Sequence, residues 1–318
     1  MKEYDLIIVG GGISGMTAAL TAHNENIDKI LIIERGEILG GILNQFIHND
    51  FGEEVLDRVV TGPEYVNYLE EKIEKTNIEV KLNSEVLKIE EGNNVEYVSP
   101  NEGIAKVHGK AIILASGCRE VYTGSIAIAT NRFAGIYTIG NAHRIINQEG
   151  YMPGNRPFIV VNSKWGLIVA RRIVIEGGKI QGLLIETNED FRFDKEDKNI
   201  IEGFNIPVIE NKVLTGIFGK ERVEGVNIKD INTYEESMLK CDSLILSVGY
   251  FTEIYSLEGL NLKINDYTKS VEVNNYQTSN EGLFACGNVL YGVHAVKEKG
   301  LNGIDAAIAA STYIKSLD

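Results

Sequence analysis

The chain of 318 residues is 44% hydrophobic and carries a formal net charge of −14. Its length suggests about two domains of ordinary size, with apolar content ample for their cores. Its acidity argues against nucleic acid or an anionic membrane surface as a partner, because both call for basic patches.

No basic leader precedes the first apolar run, and no run approaches the ~18 apolar residues of a membrane span. Cys118, Cys241 and Cys286 stand far apart, with no C-x-x-C and no metal-type spacing. No metal is therefore expected. Free thiols suit a reducing cytoplasm, which is the expected location.

Residues 5–9 form an apolar run that leads into Gly10-Gly11-Gly12-Ile13-Ser14-Gly15 and the small residues 16–20. This pattern predicts a buried strand, a glycine turn and a helix start. The spacing Gly10-x-Gly12-x-x-Gly15 is the dinucleotide fingerprint in its required context. Gly10 allows the tight turn, Gly12 lets a pyrophosphate approach the backbone, and Gly15 lets helix and strand pack closely. The helix N-terminus offers N–H groups and partial positive charge to phosphates. Residues 29–33 read as the second strand and end in Glu34, placed to accept hydrogen bonds from a ribose.

A loop with Gly40-Gly41 follows. Thr61-Gly62-Pro63-Glu64 starts a helix that runs to about residue 76, with Thr61 and Glu64 spaced as a capping box. Residues 78–82 alternate as a strand, and 85–109 read as an antiparallel meander. Residues 111–117 are a buried strand ending in a glycine turn. A second unit repeats the first: strand 157–161, helix 164–176, strand 179–185, then Glu186. Residues 222–240 read as a second meander, and 242–249 repeat the strand-to-glycine ending. Residues 282–288 are a last strand and turn, followed by a closing helix from Ala295.

The expected fold is α/β, with two Rossmann-like three-layer ββα/βα domains, each with a small antiparallel meander. The expected division is 1–118 plus 243–318 for a discontinuous dinucleotide-binding domain. Residues 119–242 would form a second domain of the same kind with a degenerate glycine loop.

Several stretches carry a resemblance: Gly40-Gly41-Ile42-Leu43, Ile47-His48-Asn49, Thr61-Gly62-Pro63-Glu64-Tyr65 and Ser116-Gly117-Cys118-Arg119-Glu120. Gly135-Ile136-Tyr137-Thr138, Glu149-Gly150-Tyr151-Met152-Pro153-Gly154 and Phe284-Ala285-Cys286-Gly287-Asn288 add to it. With the two glycine turns, the chain resembles the two-dinucleotide-binding-domain flavoproteins, the pyridine nucleotide–disulfide oxidoreductase superfamily. Its size is similar to thioredoxin reductase. Its local motifs look like FAD-dependent oxidoreductases of anaerobes linked to glycerol-3-phosphate dehydrogenase systems.

The resemblance implies the FAD/NAD(P)-binding fold, with FAD at the first site, in 1–118 plus 243–318, and an NAD(P)-binding-like domain in 119–242. Gly10, Gly12, Ser14 and Gly15 would face the pyrophosphate. Glu34 would hold the adenosine ribose with Arg35 beside it, and the Val86 backbone would meet the adenine. Gly41 and Ile42 would pass near the flavin, and Ser116 and Gly117 would sit near the pyrophosphate. Gly287 and Asn288 would meet the ribitol and phosphate side. Ala295, Val296 and Lys297 would open the last helix under the flavin, where a helix N-terminus stabilises negative charge. Asn288 stands where Asp is common in the superfamily, and it still donates and accepts hydrogen bonds.

Two departures shape the functional reading. Disulfide reductases carry a redox-active cysteine pair, and exchange needs an attacking and a resolving thiol. Where thioredoxin reductase has that pair, this chain has Thr138-Ile139-Gly140-Asn141. The second fingerprint is also broken. Val161, Ser163 and Trp165 stand in its loop, and they are expected to obstruct a pyrophosphate. Gly166 and Glu186 keep the frame, and Glu186 would favour NADH over NADPH. His48, near the flavin by resemblance, is the one candidate for proton transfer. His143 and His294 have weaker claims, and Tyr137 is a possible flavin neighbour.

The reading is an FAD-dependent oxidoreductase passing electrons through a bound flavin, without a redox-active disulfide and with weakened pyridine-nucleotide binding. NADH would be at most a weak ligand. Donor and acceptor would be small molecules or proteins. The alternatives are an electron-transfer subunit of a partner dehydrogenase and a non-catalytic FAD-binding protein. A homodimer or a partner oxidoreductase subunit stays open.

Overall fold

A computed structural model describes residues 1–121, 133–185, 192–247, 249–291 and 301–317. The expectations for Glu186, His294, Ala295, Val296 and Lys297 fall outside these residues. The chain divides into two compact units, one of Met1–Arg119 with Tyr250–Asp318 and one of Glu120–Gly249.

The first unit is built on one sheet. Its strands run in the order Glu79–Lys81, Ile30–Ile33, Lys2–Val9, Gly103–Leu114, Asn94–Ser99, Glu85–Glu90, with Leu283–Ala285 also on Gly103–Leu114. Lys2–Val9 pairs in parallel with Ile30–Ile33 and with Gly103–Leu114, which sets Val9 beside Ile33 and Leu114. All four residues of Ile30–Ile33 are buried. A parallel strand covered on both faces reads as a continuous apolar run, which explains the Ile-Leu-Ile-Ile sequence. Gly103–Leu114 is one long strand. Its first half pairs antiparallel with Asn94–Ser99, and its second half joins the parallel core. The expected meander and the expected buried strand are therefore continuous.

Helix Ile13–Asn24 follows the first strand, and Leu301–Leu317 lies against it. Helix Gly62–Ile73 carries the expected capping box. The Thr61 hydroxyl accepts from the Glu64 N–H, and the Glu64 carboxylate accepts from the Thr61 N–H at 2.8 Å. The two reciprocal bonds satisfy N–H groups that lack helical partners.

The second unit has a five-stranded parallel sheet in the order Ile136–Thr138, Ser243–Leu246, Pro157–Val161, Gly182–Ile185, Val208–Ile209. Ser243–Leu246 pairs with Pro157–Val161 inside this sheet. That strand belongs to the second unit and not, as expected from position 243 onward, to the first. The second meander also starts earlier than expected. It consists of Lys212–Gly219, Val223–Asp230 and Glu236–Lys240.

Candidate functional site

Three glycines at the first turn do different physical work. Gly10 has φ +105°, and a Cβ there would stand 2.4 Å from the Ala115 carbonyl oxygen. It lets two adjacent strand ends pass each other. A Cβ at Gly15 would stand 1.9 Å from the Gly10 carbonyl oxygen, so Gly15 lets the helix close on the turn. A Cβ at Gly12 would meet nothing within 4 Å. Gly12 is the extended N-cap residue of Ile13–Asn24 and makes no side-chain cap. The first N–H groups of that helix have no acceptors within the helix, and they carry its positive end.

Gly41, with φ +53°, faces Gly12, its Cβ position being 3.5 Å from the Gly12 Cα. The Gly40 N–H donates to the Gly11 carbonyl at 2.8 Å and fixes this approach. At Gly117, with φ +76°, a Cβ again meets nothing within 4 Å. These open positions beside a helix N-terminus form a cradle that side chains would fill. A diphosphate fits such a cradle.

Glu34 closes one end. Its carboxylate accepts from the Gly11 N–H and from the Gly36 N–H, both at 2.6 Å. The two bonds aim the carboxylate along the turn. Arg35 donates to Glu253 at 3.0 Å, and Arg119 pairs with the same carboxylate. Glu253 holds its place through the backbone. Its carbonyl accepts from the Ser116 hydroxyl at 2.7 Å, and its N–H donates to the Gly117 carbonyl at 3.2 Å. Arg119 lies 3.7 Å from Glu85, which accepts from the Tyr255 hydroxyl at 2.6 Å. Burial, then that bond to Glu85, pushes the Tyr255 phenol up to about 12, so it stays a donor at neutral pH. Val86 is buried and pairs with Tyr97.

Gly287, with φ +78°, turns directly above Ser14, whose Oγ would lie 2.5 Å from a Cβ there. The Gly287 N–H donates to the buried Asn302 side chain at 3.0 Å, which fastens this turn to the last helix. A Cβ at Gly303 would lie 2.4 Å from the Ser14 carbonyl oxygen, so the last helix sits hard against the first. Asn288 is half-buried beside the turn. Ile42 is 44% exposed. His48 lies with its ring 5.6 Å from both Phe46 and Phe51, which stack on each other.

Sequence reasoning missed Glu253 and Asn302. Glu253 sits in a stretch without a motif and gains meaning only when Arg35 and Arg119 meet on it. Asn302 left a faint signal, as a polar residue beside Gly303 near the start of the Ala- and Ile-rich last helix.

In the second unit the strand Pro157–Val161 leads through Ser163 into helix Lys164–Ile175. Val161 is fully buried, and its Cγ1 would lie 1.9 Å from a Cβ at Gly166. Here a side chain fills the gap that Gly10 and Gly15 leave between strand and helix. Trp165 packs against the same core. Val161 is turned wholly into the core, and Trp165 is partly buried against it. Ser163 alone occupies the position equivalent to Gly12. It does not cap the helix, and its buried Oγ has no hydrogen-bond partner among the described residues. Lys164 lies 3.3 Å from the buried Asp197 and 3.8 Å from Asp194. Two carboxylates therefore stand near this helix start.

Gly166→Ala is expected to destabilise by about 1–3 kcal/mol through overpacking. Val161→Ala in the same chain is expected to recover part of the loss, since the clash is with that side chain. Denaturant unfolding of the single and double variants measures both. Equal stability of Gly166→Ala and the parent would contradict the interlock.

Helix Ile139–Asn147 starts at Thr138, whose hydroxyl accepts from the Asn141 N–H at 3.3 Å. Glu120 accepts from the Thr138 hydroxyl and from the Gly140 N–H at 2.8 Å. Burial raises the Glu120 carboxyl above the usual range, against the pull of these bonds. His143 is buried in this helix.

None of the three cysteines is in a disulfide. Burial pushes the thiols of Cys241 and Cys286 up to about 12. Thiolate is the nucleophile, so neither thiol is reactive at neutral pH. Cys118 is partly exposed. Alkylation of the native protein followed by mass mapping is expected to mark Cys118 first. Prior labelling of Cys286 would contradict the burial. Among the described residues no cluster of acidic, His or Cys side chains suits a metal, and no helix is long and apolar enough to cross a membrane.

Comparison with known proteins agrees with this architecture. A 34.2 kDa protein in the rubredoxin operon of Clostridium pasteurianum is 22% identical, over 98% of each chain. A ferredoxin–NADP reductase of Streptococcus equi subsp. zooepidemicus is 26% identical, over 90% of this chain and 86% of that one. The crystal structure of T. acidophilum thioredoxin reductase shares the fold with a TM-score of 0.79 at 21% identity, over all of both chains. The profile of the family described as pyridine nucleotide-disulphide oxidoreductase matches residues 4–311. The chain belongs to that family and is an FAD-dependent oxidoreductase.

Proposed function

We propose that the cradle of the first unit holds FAD and that the enzyme passes electrons through it without a redox-active disulfide. Gly10, Gly12, Ser14 and Gly15 are assigned to the pyrophosphate turn, with Ser116 and Gly117 beside it. Glu34 and Arg35 are assigned to the adenosine side with the Val86 backbone. Gly41, Ile42, Gly287 and Asn288 are assigned to the flavin and ribitol side. The bound flavin supplies a store for two electrons. The residues around it bind, orient and screen it. His48 is the proposed proton carrier.

The observation that carries the reading is the helix start at Thr138. It holds a hydroxyl cap and the Glu120 carboxylate, and the three thiols are single and mostly buried. In the second unit we propose weakened binding of NADH. Ser163 fills the position where Gly12 leaves space, and Asp194 and Asp197 oppose a diphosphate.

A protein electron carrier is the proposed partner. Two relatives favour it, one named as a ferredoxin–NADP reductase and one by its rubredoxin operon. The test is anaerobic reduction with dithionite, followed by mixing with oxidised ferredoxin, rubredoxin or a small disulfide. Electron transfer to a carrier is expected, at the same rate in Cys118→Ser. Disulfide turnover that disappears in Cys118→Ser would overturn the proposal.

A further inference from the structure

We propose that Glu253 is a positioning residue for the adenosine half of the dinucleotide. It holds the Arg35 guanidinium as one wall of the adenine pocket. This rests on the proposed assignment of Glu34 to the adenosine ribose.

The geometry begins at the backbone of residues 34–36. On one side, the Glu34 carboxylate is tied to the glycine turn through the Gly11 N–H. On the other, the Ser84 N–H donates to the Glu34 carbonyl and the Asn83 N–H to the Gly36 carbonyl, both at 2.9 Å. Arg35 therefore leaves a segment braced from both sides, next to the strand that carries Val86.

Its side chain is braced as well. The Glu253 side chain is only 5% exposed, and its carboxylate takes Arg35 at 3.0 Å and also Arg119. Arg119 reaches Glu85, the neighbour of Val86. Charges of alternating sign thus run in an arc from the end of the second strand to the start of Glu85–Glu90. Both arginines keep 43% of their side chains exposed, so the arc leaves Arg35 a solvent-facing surface.

A guanidinium is flat and stacks on aromatic rings. Adenine is such a ring. A free Arg side chain would lose rotamer freedom on binding it. Glu253 removes that freedom beforehand, and preorganisation of this kind raises affinity without a new contact.

The experiment is titration of the apoprotein with FAD and with ADP, which carries the adenosine diphosphate half alone. Glu253→Gln, Arg35→Ala and Arg35→Lys are each expected to weaken ADP about tenfold. Arg35→Lys fails because it keeps the charge and loses the plane. The double variant Glu253→Gln/Arg35→Ala is expected to bind no more weakly than Arg35→Ala, since Glu253 acts through Arg35. A merely structural role would give additive losses, and that result overturns the proposal. Unchanged ADP affinity in Arg35→Ala overturns it, as does recovery in Arg35→Lys. If Glu253→Gln does not fold, the two variants at the exposed Arg35 decide. A parent apoprotein that takes up neither FAD nor ADP would overturn the cofactor assignment itself, which separates the two failures.

Discussion

Gly12→Val is expected to fold as the apoprotein and to lose FAD. A Cβ at Gly12 meets nothing within 4 Å, and its backbone is extended, with φ −72° and ψ −176°. A β-branched residue tolerates that conformation. The stability of the apoprotein is expected to change by no more than about 0.5 kcal/mol, as for an open site. The same side chain fills the space a phosphate needs, and FAD affinity is expected to fall about 100-fold or more, some 2.7 kcal/mol. Gly10→Ala is expected to do the reverse. Its Cβ meets the Ala115 carbonyl at 2.4 Å, and its φ is +105°. That combination of strain and overlap is expected to cost about 3 kcal/mol or more before any cofactor binds. Denaturant unfolding of both apoproteins, with FAD titration, separates the two roles. A folded Gly12→Val protein that holds FAD as tightly as the parent would contradict the cradle.

The second large effect concerns the second unit. Ser163→Gly is expected to tighten NADH about tenfold, or 1.4 kcal/mol. It restores the open N-cap without touching the core. Val161→Gly is expected to bring no gain in NADH affinity. Its side chain is fully buried and interlocked with Gly166, so its removal leaves a cavity. The expected cost is about 2–4 kcal/mol from lost packing and glycine entropy. Flavin bleaching against NADH concentration, beside thermal unfolding, measures both variants. Tighter NADH in Val161→Gly would show that Val161 and not Ser163 limits access.

Much of the first unit was legible in the chain. The fingerprint, the acidic end of the second strand and the Thr61–Glu64 cap depend on residues close in sequence, and their geometry is local. The errors arose where distant segments decide. Residues 111–117 and 242–249 have the same strand-to-glycine ending. Only the parallel pairing of Ser243–Leu246 with Pro157–Val161 assigns the second of them to the second unit. Lys212–Gly219 escaped notice because two glycines and register shifts at Leu214/Gly216 and Phe218/Gly219 blur its alternation. The end of the meander read to residue 109 and the strand read from 111 are one strand, Gly103–Leu114, and Gly109 leaves room where a Cβ would stand 2.8 Å from the Ala111 carbonyl oxygen and 3.1 Å from Ile7. Val161 and Trp165 were visible as departures, but the direction of a side chain follows from packing and not from spacing.

The first unit is proposed to hold FAD in an ordinary cradle, and the glycine-poor turn of the second unit is proposed to resist pyridine nucleotide. Anaerobic titration of the purified yellow protein with NADH, and then NADPH, tests this most directly. Flavin reduction is expected with half-saturation on the order of millimolar NADH, about −4 kcal/mol of binding, and with NADPH no better. Saturation at micromolar NADH would contradict it and would make the enzyme an ordinary NADH-linked flavoprotein.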